Sequence, residues 1–146
     1  MITIYDTVDV PQQILDHADT IKMENYKTNT PVTFQKHMDM SSHGEQFVRN
    51  LAQVINEPSE DIDWVFFSVC LGAEPHVDQL DPDKFGDTTF VIPIILPQGT
   101  STITAEDDSA AVELFKVYQF DHTKIHSMVL EDHTSGCVVI MAALLK

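Results

Sequence analysis

The hydrophobic pattern of this chain changes its period once, near residue 63. Before that point, residues 11–21 and 44–56 carry apolar side chains at helical spacing. After it, apolar and β-branched residues fall into short runs typical of strands. Two helices followed by six or seven strands predict an α+β fold, in which the helices pack outside an antiparallel, jelly-roll-like β-barrel.

The individual elements follow from turn residues and polar breaks. Residues 22–43 are polar and predict an irregular segment, and residues 72–75 predict a short break. Pro93 interrupts an apolar strand and indicates an edge strand or a bulge. We predict strands at residues 1–6, 63–71, 88–96, 101–105, 112–120, 125–130 and 137–145. The length of 146 residues indicates a single domain, 1–146, with a helical N-terminal part (1–62) and a jelly-roll core (63–146).

Composition indicates a soluble protein of the cytoplasm. The hydrophobic fraction is 43% and the mean hydropathy is -0.07, which are typical of globular domains. There is no apolar run of about 18 residues to span a membrane, and residues 1–6 lack the features of a signal peptide. Cys70 and Cys137 each lie in an apolar run, so we expect buried free thiols in a reducing compartment.

The charge balance restricts the partners. Eight Lys and Arg residues oppose 23 Asp and Glu residues, which gives a formal net charge of -15. Such a surface repels the phosphates of duplex nucleic acid and of anionic membranes. It is compatible with a basic protein partner, with mimicry of nucleic acid, or with solubility alone.

An H-x-D triplet and one distant histidine are the candidate metal ligands of this chain. His76 and Asp78 are two residues apart, so on an extended strand both point to the same face. His126 lies fifty residues further along the chain, at the head of a strand-like run. Two imidazoles and one carboxylate are the ligand set of the facial triad that holds non-haem Fe(II) and leaves positions open for a co-substrate.

The order of these segments resembles the core of the Fe(II)/2-oxoglutarate-dependent oxygenases, a double-stranded β-helix family. The resemblance runs from about residue 65 to residue 145, a little over half the chain. It is carried by PHVDQLD, then TTFVIPIILPQG, then VYQFDHTKIHSMVLEDHTSGCVVIMA, in that order. In the family a strand leads into H-x-D, apolar strands follow, and the distal histidine begins a further strand.

The resemblance implies a ligand set and a small-molecule co-substrate. His76, Asp78 and His126 would bind Fe(II), and 2-oxoglutarate would complete the site. The family's Arg or Lys about ten residues after the distal histidine is missing, because residues 134–138 contain no base and Arg49 is the only arginine. A lysine from elsewhere would then hold the co-substrate carboxylate. The candidates are Lys116, Lys124 and Lys84, with Ser127 and Thr89 as further hydrogen-bonding residues.

Other readings of the same residues remain open. His122 and His126 are spaced as a zinc pair on a helix, although their flanks are strand-like and His122 is expected in an exposed loop. The acidic residues of the loop 78–87 could attract Ca²⁺, but they lack EF-hand spacing and predict a solvated lid beside the site. The chain is thus either an oxygenase or a non-enzymatic jelly-roll protein that binds a partner through its acidic surface and keeps a vestigial or structural metal site.

Overall fold

A computed structural model of the protein describes residues 1–25, 34–37, 42–70, 72–132 and 138–145. The helices are α1 (Gln12–Asn25) and α2 (Ser42–Ile55), and a short 3-10 turn (Ser59–Asp61) follows α2. Neither described helix is long and apolar enough to cross a membrane. The strands are β1 (Thr3–Thr7), β2 (Phe34–His37), β3 (Ile62–Cys70), β4 (Ala73–His76), β5 (Thr88–Ile95), β6 (Ser101–Ala105), β7 (Asp108–Ala111), β8 (Lys116–Asp121), β9 (His126–Leu130) and β10 (Val138–Leu145).

The strands form two antiparallel sheets. The larger has the order β1-β8-β5-β10-β3-β2, and the smaller has the order β4-β9-β6-β7. The centre of the larger sheet is the apolar strand β10, which pairs along its length with β3 and β5. From β3 to β10 the chain crosses between the two sheets at every connection except the β6–β7 hairpin, as in a jelly roll, and this brings β4 and β9 together although fifty residues separate them.

The helices cover the outer face of the larger sheet. Apolar residues of α1 and α2 pack against one side of β3, β5 and β8 and form the main core, in which Phe47 and Leu51 are fully buried. The amphipathic stripe of α2 predicted this burial, because residues three and four apart share one helix face. The predicted placement of the helices outside the barrel is therefore confirmed.

A second core lies between the sheets. Residues on the opposite side of β5 and β8, among them Val91 and Tyr118, pack against Ile103 and Met128 of the smaller sheet. β5 and β8 thus send alternate residues to the helices and to the barrel interior, as the two-residue period of a strand requires. This arrangement confirms the predicted α+β fold with a jelly-roll core.

Pro93 lies in a central strand rather than at an edge. β5 pairs with β10 on one side and with β8 on the other, so the prediction of an edge strand was wrong. The alternative prediction of a bulge was right, because the register with β10 shifts between Val139 and Ile140. The pairing of β5 with β8 ends at Val91, so no backbone hydrogen bond to β8 is required from the missing N–H of Pro93. The carbonyl of Pro93 accepts a hydrogen bond from Phe115 N at 2.8 Å.

Several boundaries differ from the prediction. β2 lies within the segment expected to be irregular, and α1 continues four residues past 21. The expected break at 72–75 is mostly β4. The strand predicted at 112–120 begins only at Lys116, because Phe115 has a positive φ of 67°, and the preceding β7 was missed. Eight strands therefore follow α2 in the described residues, and β1 and β2 of the N-terminal part join the larger sheet.

Candidate metal centre

The H-x-D triplet and the distal histidine meet at one end of the barrel. His76 is the last residue of β4, and it pairs across the ladder with His126, the first residue of β9. Asp78 follows two residues later in the loop. One ligand atom from each of the three side chains lies within 4.8 Å of the other two, and no other such group of three occurs among the described residues. The predicted ligand residues are thus brought together.

Asp78 sits between the two imidazoles. Its Oδ1 lies 3.4 Å from His76 Nε2, and its Oδ2 lies 3.5 Å from His126 Nε2. Adjacent ligand atoms of an octahedral ion with bonds of about 2.1 Å are separated by about 3.0 Å, so small side-chain rotations would close the site on a metal. Val77, between the ligands, is turned outwards and is 43% exposed.

Backbone carbonyls fix the tautomer of both histidines. His76 Nδ1 lies 2.6 Å from the carbonyl of Glu74, and His126 Nδ1 lies 2.9 Å from the carbonyl of Lys124. A carbonyl oxygen can only accept a hydrogen bond, so each Nδ1 carries the proton and donates it. Both neutral rings then present an Nε2 lone pair towards Asp78, which is the arrangement that second-shell partners impose on metal-binding histidines.

The contact between His126 and Asp78 shifts the pKa values of the two groups in opposite directions. Burial lowers the pKa of His126, but its hydrogen bonds to Asp78 and to the carbonyl of Lys124 outweigh burial and raise the pKa above 6.5. Burial raises the pKa of Asp78, but the His126 hydrogen bond and the nearby histidine charges lower it below 3.8. The imidazole of His126 and the carboxylate of Asp78 therefore stabilise each other's charged forms.

The metal-free protein should accordingly lose stability as the pH rises above neutrality. The raised pKa of His126 contributes stability that is complete below 6.5 and is lost as the pH rises through the folded value. The lowered pKa of Asp78 contributes stability that is complete above 3.8 and is lost only in stronger acid. Urea unfolding of chelator-treated protein between pH 6 and about pH 9 measures this loss. The Asp78→Asn variant should not show this loss of stability with rising pH. If the free energy of unfolding changed equally with pH in the two proteins, the contact between His126 and Asp78 would not be its cause.

Phe120 and His122 support the centre from the larger sheet. The Phe120 ring packs on the His126 imidazole at a centroid distance of 4.7 Å. His122 was predicted to be an exposed loop residue, but it is buried, with 2% of its surface exposed. It continues the alternation of Tyr118 and Phe120, which face the barrel interior, and this period was the signal in the sequence that could have placed it.

His122 ties the ligand loop to the barrel. Its carbonyl accepts a hydrogen bond from Asp78 N at 3.0 Å, and its own N–H donates to the carbonyl of Asp87 at 3.0 Å. Its ring Nδ1 lies 2.6 Å from Oγ1 of Thr89, which is also buried. Thr89 was predicted as a hydrogen-bonding residue of the site, and the structure places it beside His122, behind the ligands.

The Thr89→Val variant should be less stable than the parent by about 1–3 kcal/mol. Valine has the same shape as threonine but no hydroxyl group, so the buried His122 ring would lose its partner. Chemical denaturation measures the change. Thr102→Val, a half-buried threonine on β6, is the matched control and should change stability by less than about 1 kcal/mol. Equal effects of the two substitutions would show that the Thr89–His122 hydrogen bond adds nothing.

Among the described contacts, the other predicted site residues make no side-chain contact with the ligands, and Lys124 touches His126 only through its backbone carbonyl. Lys116 pairs with Glu113 and begins β8, about 17 Å along the strand from the end that carries Asp121. Lys124 is exposed in the turn before β9, outside the strand face that would align it with His126. Ser127 follows His126 on β9 and so points to the opposite face of the sheet. Lys84 lies 5.2 Å over the Phe85 ring.

The alternative metal sites find less support. His122 lies in a turn rather than on a helix, and among the described side chains it does not belong to the group that could share a metal with His126. In the acidic loop, Asp81 Oδ1 accepts a hydrogen bond from Asp83 N and closes a turn. Of the four aspartates in that loop, Asp78 alone joins a metal-competent group of described side chains. Residues 134–137, where the family anchor would lie, are outside the described residues.

One of three similar solved structures superposes well enough to support the fold. A prolyl-4-hydroxylase from Pseudomonas putida superposes with a TM-score of 0.65 and 10% sequence identity, over 99% of this chain and 91% of that chain. A cupin superfamily protein from Desulfitobacterium hafniense matches with a TM-score of 0.45 and 13% identity, over 82% of each chain. A cupin domain of an XRE family transcriptional regulator from Enterobacter cloacae matches with a TM-score of 0.47 and 10% identity, over 78% of this chain and 96% of that chain.

Comparison of the amino-acid sequence does not identify a family for this chain. No family model matches this chain, and no curated protein matches it. The described structure is a jelly-roll fold, with which the prolyl-4-hydroxylase superposition agrees, and it has a His, Asp and His group that could hold a metal at one end of the barrel.

Proposed function

We propose that this protein is a non-haem Fe(II) oxygenase that uses 2-oxoglutarate as its co-substrate. The observation that carries the proposal is the convergence of His76, Asp78 and His126, with both Nε2 atoms facing one carboxylate. Two neutral imidazoles and one carboxylate suit Fe(II) and leave coordination positions open. The superposition with a prolyl-4-hydroxylase, over nearly the whole of both chains, agrees with this choice.

The bound iron would supply O2 activation, coupled to decarboxylation of 2-oxoglutarate to succinate and CO2 and to insertion of one oxygen atom into a substrate C–H bond. The chain's own residues hold that centre in place. His76 and Asp78 project from the end of β4 and its loop, and His126 projects from β9. The hydrogen bond from Asp78 N to the His122 carbonyl keeps the carboxylate between the imidazoles. The Phe120 ring packs against the His126 ring and restricts its orientation.

The test is turnover in the absence of a known substrate. Purified protein loaded with Fe(II) is mixed with 2-oxoglutarate in air, and succinate is measured against the Asp78→Asn variant. The proposal predicts slow succinate formation by the parent, because oxygenases of this kind decarboxylate some co-substrate without a substrate, and none above background by the variant. Equal succinate in both samples would contradict it.

A second function is favoured by the positions of the basic residues. Lys116 is paired with Glu113 at the far end of β8, and Arg49 donates to Gln46 on the exposed side of α2. Neither has a described contact with a residue of the triad. The alternative is a non-enzymatic protein that keeps a metal in the barrel and binds a basic partner. Metal binding without any effect of 2-oxoglutarate on the bound iron would favour this alternative.

A further inference from the structure

Three loops surround the candidate metal centre. They are residues 77–87, residues 105–108 and residues 121–125, and backbone contacts join them. Asp78 N donates to the carbonyl of His122, and Glu106 N donates to the carbonyl of Ile125 at 2.8 Å. Ala105 also pairs with His126 across the smaller sheet. We call this end of the barrel, formed by the three loops, the mouth.

Two exposed apolar side chains flank the metal ligands at the mouth. Val77 stands between His76 and Asp78 and is 43% exposed, and Ile125 stands directly before His126 and is 61% exposed. Both side chains are attached next to ligand residues and face the outer surface beside the centre, so a molecule that docks at the mouth would contact them. An exposed valine or isoleucine alone needs no explanation, but two of them at the entrance of a site indicate contact with an apolar group.

The charge around these side chains is strongly negative. The three loops hold eight Asp and Glu residues, against two lysines, Lys84 and Lys124. The ammonium group of Met1 adds one positive charge, because it pairs with Glu106 at 2.8 Å. Asp81, Asp83, Asp87 and Asp107 are exposed. A field of one sign around an entrance attracts ligands of the opposite sign and repels those of the same sign.

We infer that the mouth is a docking surface for an extended polypeptide segment in which basic side chains flank an apolar one. The apolar side chain would lie on Val77 and Ile125, and lysine or arginine side chains would lie over the acidic loops. The surface itself does not depend on the metal chemistry. That the docked segment is also the substrate rests on the proposed oxygenase function.

The probe is a fluorescein-labelled peptide, Gly-Lys-Lys-Gly-Leu-Gly-Lys-Lys-Gly, whose binding to the full chain is followed by fluorescence anisotropy. Two further peptides replace the four lysines by glutamine or the leucine by serine. We expect saturable binding of the first peptide, which weakens between about 0.05 M and about 0.5 M salt. Each altered peptide should bind at least about fivefold more weakly. No binding of the first peptide, or equal binding of all three, would overturn the inference.

Paired variants locate the surface. Ile125→Ser should weaken binding about fivefold, whereas Leu114→Ser, at a 45% exposed leucine in the turn before β8, should leave it unchanged. Asp83→Asn combined with Asp107→Asn should weaken it about threefold, whereas Asp9→Asn combined with Asp19→Asn should not. Equal effects within each pair would place any binding elsewhere and overturn the inference.

The same measurements separate the two proposals. Peptide binding is measured on metal-free protein and again with Fe(II) present under anaerobic conditions. If the peptide binds at the mouth while no succinate forms from 2-oxoglutarate, the docking surface stands and the oxygenase function fails. If succinate forms while the peptide does not bind, the docking surface fails and the oxygenase function stands.

Discussion

Replacement of His76 by alanine should weaken Fe(II) binding at least about a hundredfold. His76 Nε2 faces Asp78 Oδ1 at 3.4 Å, and its Nδ1 is held by the carbonyl of Glu74, so the ring is set to offer its lone pair to a metal. Loss of an outer-shell partner alone costs metal sites about 10–100-fold in affinity, and loss of a direct ligand costs more. Anaerobic titration with Fe(II) against a competing chelator measures the change.

The control for this substitution is His43→Ala, which removes an exposed histidine at the start of α2. It should bind Fe(II) as the parent does. His76 is 43% exposed on its side chain, so its removal should leave the fold intact, and the unfolding midpoint of the metal-free variant checks this. A His76→Ala variant that is folded and binds Fe(II) as tightly as the parent would refute the ligand assignment.

Replacement of Phe47 by alanine should lower the free energy of unfolding by about 3–5 kcal/mol. Phe47 is fully buried in the core that α2 forms with the outer face of the larger sheet. Its removal leaves a cavity between two elements that the strand ladders and helix bonds hold in place, so the neighbours can fill the space only in part. Urea or thermal unfolding of both proteins gives the difference.

The matched control is Gln53→Ala, on the exposed face of the same helix, which should change stability by less than about 0.5 kcal/mol. The Phe47→Ala variant should still bind Fe(II), because the ligands come from β4, β9 and the loop after β4 rather than from the helices. A loss below about 1 kcal/mol would mean that α2 does not pack on the sheet as described.

The sequence predicted the fold class because its periodicities are unambiguous where burial is strong. The apolar stripe of α2 and the near-continuous apolar runs of β5 and β10 each correspond to an observed element. The elements it missed are short. β4 and β7 have four residues each, and they exist because longer neighbours offer them a ladder to pair with. Such tertiary pairing leaves no periodic signal in the segment itself.

The candidate ligands could be predicted from the sequence, but the residues that hold them in place could not. The sequence shows His76 and Asp78 two residues apart and His126 ahead of a strand. These positions could be recognised because a strand has a two-residue period. The hydrogen bond between Thr89 and His122 joins residues 33 positions apart on different elements. The turn at residues 121–124 suggested exposure for His122, and only the folded barrel shows that its ring continues the inner face of β8.

The most direct test of the central claim is an anaerobic titration of the metal-free protein with Fe(II), followed by 2-oxoglutarate, while the visible absorbance is recorded. A chelate of the co-substrate on iron gives a charge-transfer band. The account predicts this band in the parent protein and its absence in the His126→Ala variant, which lacks the ligand contributed by β9. A band of equal strength in both proteins, or a parent protein that binds no Fe(II), would contradict the account.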